Sequence, residues 1–392
     1  MKLALKLAYR NLIGAGLRTW LNVIVLSFSF VYIIFGKGLL MGWDQQAKTD
    51  MKNWEIAGGQ YWHDAYDPFD QFTLNDSHAS IPDELKNEVE QGDAVPVLIA
   101  QGTIYPEGRM QSILIKGIDP KQDLFVLPAS KLDTSVSAIP AIIGTNMAKS
   151  NRLNTGDYVT IRWRDSKGTF DAAEILITGI FKTNVPTVDV SQVWIPLEKL
   201  QAMLLLPGEA TVITFRDPDK IRADIRRWEL KSYKSLVSDI EEMIKTKSIG
   251  QYVFYTILML LAMLAIFDTQ VLSIFRRQKE IGTYIALGYT RGEVVGLFTV
   301  EGAMHAILAA LVAAVYGMPI FIWQSKVGIS FGVDYAGEYG ITIADTMYPV
   351  YSASLVITTT FIVCMTTAVV SYLPSRKIAK MNPTEALRGK LQ

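Results

Sequence analysis

The sequence is poor in side chains that carry out chemistry. Its 392 residues include a single cysteine, Cys364, and three histidines. One cysteine excludes an intrachain disulfide, so any folded domain has to be stable through its hydrophobic core alone. The sequence also lacks the G-x-x-x-x-G-K-[ST] phosphate loop, the G-x-S-x-G nucleophile turn and the H-E-x-x-H zinc motif. These absences argue against a chain that binds ATP by itself and against a hydrolase.

Charge is missing from four long stretches. Residues 19–36, 248–267, 302–325 and 346–375 contain no Asp, Glu, Lys or Arg over 18, 20, 24 and 30 residues. A helix needs about 20 apolar residues to cross the hydrocarbon core of a bilayer. The chain is 50% hydrophobic, with a mean hydropathy of +0.22. The pattern therefore predicts four transmembrane helices.

The basic residues next to these spans predict their orientation. Residues 1–18 contain four basic residues and no acidic one, the 276–293 loop contains four basic and two acidic residues, and the tail after 375 contains five basic residues and one acidic. We expect these three segments in the cytosol. Residues 44–247 should then lie outside the cytosol. This segment contains 23 Lys and Arg and 30 Asp and Glu, which gives it a net charge of −7. The overall net charge of zero hides this asymmetry, and nothing favours nucleic-acid binding.

The first residues predict an amphipathic helix. Lys2, Lys6 and Arg10 recur every four residues beside an apolar face. Such a helix should lie along the inner membrane surface. We expect it to be retained, because no small-x-small cleavage site follows the apolar run.

The outer domain shows a mixed α and β pattern. Segments 95–105 and 110–118 flank a Pro-Glu-Gly turn and predict a hairpin, and strands are expected at 158–163 and 175–181. Helices are predicted at 196–206 and 217–247, the second running straight into the second span. The predicted fold class is an α-helical membrane protein with four transmembrane helices plus a large mixed α/β extracytoplasmic domain between the first and second spans.

The loop between the second and third spans carries the clearest local signals. Residues 280–287 predict a short helix that ends at Gly288, because glycine best tolerates the left-handed conformation after a helix. Thr290 and Glu293 have the S/T-x-x-E spacing of a capping box, which predicts that the next helix starts almost at once. A compact helix between rigid flanks is suited to transmitting force.

This loop resembles the coupling segment of ABC transporter permeases of the MacB, LolC/LolE and FtsX type. The EIG...ALG pattern of these permeases is matched by Glu280, Ile281, Gly282, Ala286, Leu287 and Gly288. Their closing P-x-x-x-A-x-x-x-P-x-E-A-L-R pattern is matched by Pro374, Ala379, Pro383, Glu385, Ala386, Leu387 and Arg388. Residues 142–204 are similar to the strand-rich subdomain of the lipoprotein-releasing permeases, and the pieces on either side would form a porter-like subdomain.

The resemblance implies a permease subunit of the bacterial inner membrane that dimerises with an identical or a different chain. It implies contact with a separate ATPase subunit through a coupling helix containing Glu280, Ile281, Gly282, Tyr284, Ala286, Leu287 and Gly288. ATP and Mg²⁺ would bind the ATPase, and this chain would bind no cofactor or metal directly. The layout is most similar to LolC and LolE, so the expected task is extraction of lipoproteins for a periplasmic carrier. MacB-like efflux of an antibiotic or peptide with an adaptor, and FtsX-like signalling to cell-wall hydrolases, are the alternatives.

The resemblance also divides the chain into segments. They are a cytosolic amphipathic helix (1–18), the first span (19–43), a periplasmic domain (44–247), the second span (248–275), a cytosolic coupling loop (276–293), the third span (294–325), an outer loop (326–345), the fourth span (346–375) and a cytosolic tail (376–392).

Two sets of residues within the spans are candidate sites. Asp268 and Glu301 are charges in otherwise apolar segments, where burial is costly and function is the default hypothesis. A polar contact between helices or subunits is expected, with a proton relay as the alternative. If two chains dimerise, their spans should enclose an apolar cavity for an acyl chain. We expect that cavity to be lined by Leu26, Phe30, Ile33, Phe254 and Leu258.

A polar and aromatic stretch follows the first span. It holds the candidate cation ligands His63, Asp64, Asp67, Asp70, Asp76 and His78. Their spacing fits neither an EF-hand nor a zinc signature, so a solvated loop is expected rather than a metal site. The same stretch contains Tyr61, Trp62, Tyr66, Phe69 and Phe72. These aromatics are suited to contact with a substrate or partner, to packing within the domain, or to the membrane interface.

Overall fold

The computed structural model describes residues 16–133, 138–217, 225–330 and 346–380. They fall into two compact units. The helical unit comprises the described parts of Met1–Trp43, Met243–Ile329 and Met347–Gln392, and the α/β unit those of Asp44–Glu242 and Ser330–Thr346. The predicted amphipathic helix lies almost entirely outside the described residues, as do most of the outer loop and most of the cytosolic tail.

The α-helices among the described residues are Leu17–Met51 (α1), Asp83–Glu90 (α2), Thr145–Asn151 (α3), Pro186–Ser191 (α4), Leu197–Leu204 (α5), Tyr233–Leu236 (α6), Ser238–Arg276 (α7), Gln278–Ala286 (α8), Arg291–Val327 (α9) and Ala353–Ser375 (α10). The strands are Gly59–His63 (β1), Ala79–Ser80 (β2), Ala94–Ile104 (β3), Gln111–Ile118 (β4), Ile139–Gly144 (β5), Tyr158–Arg164 (β6), Phe170–Phe181 (β7), Gln192–Pro196 (β8), Glu209–Ala210 (β9), Val212–Phe215 (β10), Trp228–Ser232 (β11), Ile329–Ser330 (β12) and Thr346–Met347 (β13).

Within the described ranges, four helices, α1, α7, α9 and α10, are long and apolar enough to cross a membrane. The first extends to Met51 rather than ending near 43. The fourth begins at Ala353 rather than at 346, because Thr346–Met347 forms a strand with β12 and the Ser352 side chain caps the helix by accepting from the Leu355 N–H. An uncharged run thus marks apolar sequence, whereas the helix itself starts at a capping signal.

The helices of the helical unit pack through small residues. Ala306, Ala309 and Ala313 of α9 are buried in one core with residues of α1, α7 and α10. Gly302 shows how close the approach is, since a Cβ added there would lie 2.2 Å from Ser371 Oγ of α10. Without a hydrophobic driving force inside a bilayer, such close backbone approach is a main source of helix association.

The α/β unit contains a closed ring of six strands. Strand β3 pairs with β4, β4 with β8, β8 with β5, β5 with β7, β7 with β6, and β6 with β3 again. Alternate residues of these strands point inward, as in any barrel. They form a buried core that includes Ile104, Ile115, Ile161 and Ile177. The predicted 95–105 and 110–118 hairpin is confirmed as β3 and β4.

The first half of β3 carries a second set of strands. Strand β10 pairs with Ala94–Val97, β1 pairs with β10, and β11 pairs with the outer edge of β1, all antiparallel. The helix predicted over 217–247 is therefore wrong, because Trp228–Ser232 forms an edge strand and the long helix begins only at Ser238. Burial of Trp228 in the core beneath these strands outweighs local helix propensity.

The segment that follows α1 is held within the α/β unit by a buried ion pair. Glu55 lies in a π-helical turn, Lys52–Ile56, and its Oε1 accepts hydrogen bonds from Lys116 Nζ at 2.7 Å and from Gln192 Nε2 at 3.2 Å. The Lys116 side chain is 6% exposed and that of Glu55 21%. The Lys116 ammonium also lies 5.0 Å from the centre of the Trp194 ring. This pair joins the turn to strands β4 and β8.

Candidate functional site: the segment between the second and third long helices

The short helix α8 ends next to Gly288, as the sequence predicts, and begins at Gln278, two residues before the predicted start. Arg277 has non-helical dihedral angles and separates α8 from α7. At the other end Gly288 has φ +96°, its N–H donates to the Ile285 carbonyl, and the Tyr289 N–H donates to the Tyr284 carbonyl. These two bonds define a Schellman motif, which satisfies the last carbonyls of the helix. The Tyr284 and Tyr289 rings meet edge to face across it, with centres 5.8 Å apart.

The next helix starts two residues later with a complete capping box. The Thr290 Oγ1 accepts from the Glu293 N–H, and the Glu293 carboxylate accepts from the Thr290 N–H at 2.8 Å. The predicted capping box is thus confirmed. Because both ends are capped, the connection between α8 and α9 is a short turn of defined geometry.

Arg277 fixes the start of α8 to α9. Its Nη1 donates to both carboxylate oxygens of Glu301 at 2.8 and 2.9 Å, and its Nε donates to Glu280 Oε2 at 2.7 Å. The guanidinium also lies 4.8 Å from the centre of the Phe298 ring. The Arg277 and Glu301 side chains are 18% and 10% exposed. A shielded ion pair of this kind holds its partners more firmly than one at the surface, because water screens it less.

The two sides of α8 have different surroundings. Ile281 is fully buried in a cluster from α7, α9 and the turn after α10, and the adjacent Gly282 is buried as well. Tyr284 packs partly against the same cluster. On the other side Leu287 is 72% exposed, and Glu280, Ala286 and Gly288 are exposed as well. The predicted ATPase contact therefore divides: Ile281, Gly282 and Tyr284 pack within the chain, whereas Glu280, Ala286, Leu287 and Gly288 face outward.

The two intramembrane acids are not partners of each other. Glu301 is buried against Arg277, which is the polar helix contact that was expected for it. Asp268 is exposed on α7, and no hydrogen bond or ion pair of its side chain is found within the described ranges. Sequence reasoning counted Arg277 only as a topology signal. Arg277 lies between α7 and α8, whereas Glu301 lies 24 residues later within α9, so no spacing rule could have linked them.

The residues predicted for a cavity between two chains do not share one surface. Leu26 and Phe30 are 2% and 1% exposed and pack inside the single-chain helical core, whereas Phe254 is 46% exposed. Leu258 is partly exposed. Ile33 lines a cavity of about 130 Å³ within the helical unit. That volume is well below the roughly 300 Å³ at which drug-sized ligand pockets begin. Leu26 and Phe30 can line a substrate path only if the helices separate.

The polar stretch after α1 is only partly the expected loop, because Tyr61, Trp62 and His63 belong to strand β1 and Gln71–Asn75 forms a 3-10 helix. No group of three or more metal-binding side chains occurs within the described part of the chain. His63 is buried, its Nδ1 accepts from the Ala65 N–H at 3.2 Å, and burial holds the pKa of its imidazole below the ordinary value. His78 pairs with Glu209 at 2.5 Å. The aromatics separate into buried Tyr61, partly buried Trp62 and Tyr66, and two strongly exposed rings, Phe69 and Phe72.

Comparison with known proteins finds a family match in the second half of the chain. Residues 252–383, which run from α7 to the tail, match the family described as FtsX-like permease C-terminal. The lipoprotein-releasing system transmembrane protein LolC of Neisseria meningitidis serogroup B is 20% identical over 328 residues, covering 75% of this chain and 77% of LolC.

Two macrolide export ATP-binding/permease proteins named MacB also align. That of Wolinella succinogenes is 25% identical over 42% of this chain and 23% of its own length, and that of Escherichia coli 23% identical over 54% and 33%. The chain thus aligns with a third or less of the length of each of these two MacB proteins. Among solved structures, the extracellular domain of the noncanonic ABC-type transporter YknZ from Gram-positive bacteria covers 44% of this chain and 98% of that domain, at 14% identity and a TM-score of 0.27. A TM-score of this size does not establish a shared fold.

The described part of the chain thus combines four long apolar helices with a short capped helix between the second and third, and the segment from α7 to the tail matches a permease family. More specifically, this chain contains an FtsX-like permease domain and is homologous, at low identity, to the LolC and MacB permeases.

Proposed function

We propose that the chain is the membrane subunit of an ABC transporter in the bacterial inner membrane, driven by a separate ATPase subunit that docks on the outward side of α8. The observation that carries this proposal is the division of α8 into a buried side and an exposed side. Leu287, at 72% exposure, supplies an apolar contact for the ATPase. ATP and Mg²⁺ would bind the ATPase, because the sequence has no phosphate loop of its own.

Arg277 gives this contact a mechanical consequence. When the ATPase pair closes and pushes on α8, the pairs of Arg277 with Glu301 and Glu280 resist sliding of α8 along α9. Displacement is then passed into the third long helix rather than absorbed at the turn. A dimer of this chain with an identical or related permease would complete the transporter, with the α/β unit outside the cytoplasm.

The substrate we propose is a lipoprotein, extracted from the membrane and passed to a soluble carrier. The support is the extent of the alignment, since LolC matches over 77% of its own length, whereas the MacB relatives match over 33% or less. The second candidate is efflux of an antibiotic or peptide, which the MacB alignments favour.

Reconstitution tests these alternatives. The full chain, its permease partner and its ATPase would be placed in proteoliposomes with a lipidated reporter protein. We expect ATP-dependent release of the reporter, and loss of release in the Arg277→Ala variant. If no reporter is released and a macrolide or peptide stimulates ATP hydrolysis, lipoprotein extraction is contradicted and efflux is supported.

A further inference from the structure

Two phenylalanines in the loop after β1 are far more exposed than any packing role allows. Phe69 is 83% exposed and Phe72 is 88% exposed, although they lie only three residues apart. The apolar residues on either side of them are turned inward. Tyr66 meets the Trp62 ring edge to face at 5.1 Å, and Leu74 is 7% exposed within a core cluster. The loop therefore has buried anchors and still presents two rings to the outside.

The backbone that carries the rings is tightly hydrogen bonded. Each phenylalanine follows an aspartate by two residues, and in both cases the aspartate Oδ1 accepts the phenylalanine N–H at 2.9 Å. The Thr73 hydroxyl donates to the Asp70 carbonyl at 2.7 Å and accepts from the Asp67 N–H at 3.2 Å. The backbone that carries the two rings is thus already ordered. Binding of a partner that buries the rings therefore loses little free energy to ordering of this backbone.

The charge of the segment that carries the rings restricts what can cover them. Residues 64–76 contain Asp64, Asp67, Asp70 and Asp76 and no Lys or Arg, and all four acids are exposed. An anionic bilayer surface repels such a loop. A second copy of the α/β unit is disfavoured too, since residues 44–247 carry a net charge of −7. An apolar pocket bordered by Lys or Arg matches both the rings and the charge.

We propose that the Asp67–Phe69 and Asp70–Phe72 turns form a docking element for a separate protein whose surface presents an apolar pocket with a basic rim. The inference deepens the proposed function, on which it rests for a partner outside the membrane, by assigning a place where that partner binds. Aromatic anchors of this kind typically dominate the binding energy of an interface, while the surrounding charges steer association.

The first experiment identifies what covers the rings. The full chain would carry the photo-cross-linker p-benzoyl-phenylalanine at position 72 in cells of the source bacterium, with position 170 as the control. Phe170 is also exposed, at 60%, but it lies on β7 within the same unit. We expect an adduct with one protein from position 72 and not from position 170. Adducts with lipid, with a second copy of this chain, or equally from both positions would overturn the proposal.

The second experiment tests the chemistry with that protein purified and titrated against the purified full chain. Phe69→Ser with Phe72→Ser should weaken binding at least about 100-fold, and Phe170→Ser should leave it unchanged. Asp67→Asn with Asp70→Asn keeps a side-chain acceptor for each turn and removes two charges. We expect this variant to bind about tenfold more weakly at low salt, and less so at high salt.

Unchanged affinity of the variant with Phe69→Ser and Phe72→Ser would contradict docking through the rings. Unchanged affinity of the variant with Asp67→Asn and Asp70→Asn would contradict a basic partner. Copurification of the ATPase with each variant separates this proposal from the proposed function. If the wild-type chain never binds an ATPase, the proposed function is refuted. If the loop variants keep their ATPase but bind the docking partner more weakly, the defect lies in docking alone.

Discussion

The ion pair of Lys116 with Glu55 in the α/β unit differs from that of Arg277 with Glu301 in the helical unit in what surrounds it. Lys116 is enclosed by strands and by the Trp194 ring, and it binds one turn of its own unit. Arg277 joins two carboxylates, of which one is buried and the other, on α8, is exposed. The first pair is built to hold a fold together. The second links an outward surface to a long helix, so its loss should affect coupling more than folding.

The largest expected effect breaks the first pair. Glu55→Leu leaves the Lys116 ammonium buried without a counter-charge, and removal of one partner from a buried pair costs about 3–5 kcal/mol. We expect hydrogen exchange at β4 and β8 of the full chain to accelerate accordingly, with that of α9 unchanged. Glu55→Leu combined with Lys116→Met should recover most of the protection, because the unpaired charge is gone. Equal protection in the single variant and the wild type would show that the pair contributes nothing.

The next prediction concerns the second pair. Arg277→Ala should abolish the stimulation of ATP hydrolysis by substrate, but it also leaves the buried Glu301 carboxylate without its partner. Combination with Glu301→Gln removes that unpaired charge, so hydrogen exchange in α7 and α9 should return towards the wild-type rate while stimulation stays lost. Arg277→Lys retains the charge but cannot bridge two carboxylates with a planar fork, so we expect partial stimulation. An Arg277→Ala variant with normal stimulation would remove the distinction drawn between the two pairs.

The smallest effect is a dependence on pH confined to the α/β unit. Burial lowers the pKa of His63 in the folded state, so the unfolded chain takes up a proton first as the pH falls. The stabilisation is complete above the unfolded pKa of about 6.5 and is lost as the pH falls below it, by at most about 1.4 kcal/mol per pH unit. His63→Asn retains an acceptor for the Ala65 N–H and removes the titration. Exchange at β1 and β10 between pH 7 and 5 should therefore depend less on pH in this variant, and an identical dependence would contradict the assignment.

Sequence reasoning succeeded where the signal was local. Uncharged runs predicted the four long helices, Gly288 predicted the end of α8, and the Thr290 and Glu293 spacing predicted the start of α9. It failed where packing between distant segments decides. Trp228–Ser232 lies just before a long helical segment in the sequence, and its pairing with β1 makes it an edge strand, which its alternating apolar and polar residues also fit.

The same limit applies to the candidate site. The EIG...ALG residues could be placed on one helix, but which of them face inward depends on the cluster formed by α7, α9 and the turn after α10. Arg277 was missed as a site residue because its partner Glu301 lies on another helix. Glu301 could be singled out because it interrupts an apolar run. Glu55 lies among other charged and polar residues, so its charge alone did not mark it as a member of a buried ion pair.

The most direct test of the account is a photo-cross-linker placed at position 287 of the full chain in native membranes. The control position is 357, which is 67% exposed on α10 within the fourth span. If the ATPase docks on α8, position 287 should form an adduct with an ABC ATPase subunit, and position 357 should form an adduct with lipid or a neighbouring helix. Adducts of position 287 with lipid alone, or with no ATPase in cells that contain a working transporter, would contradict it.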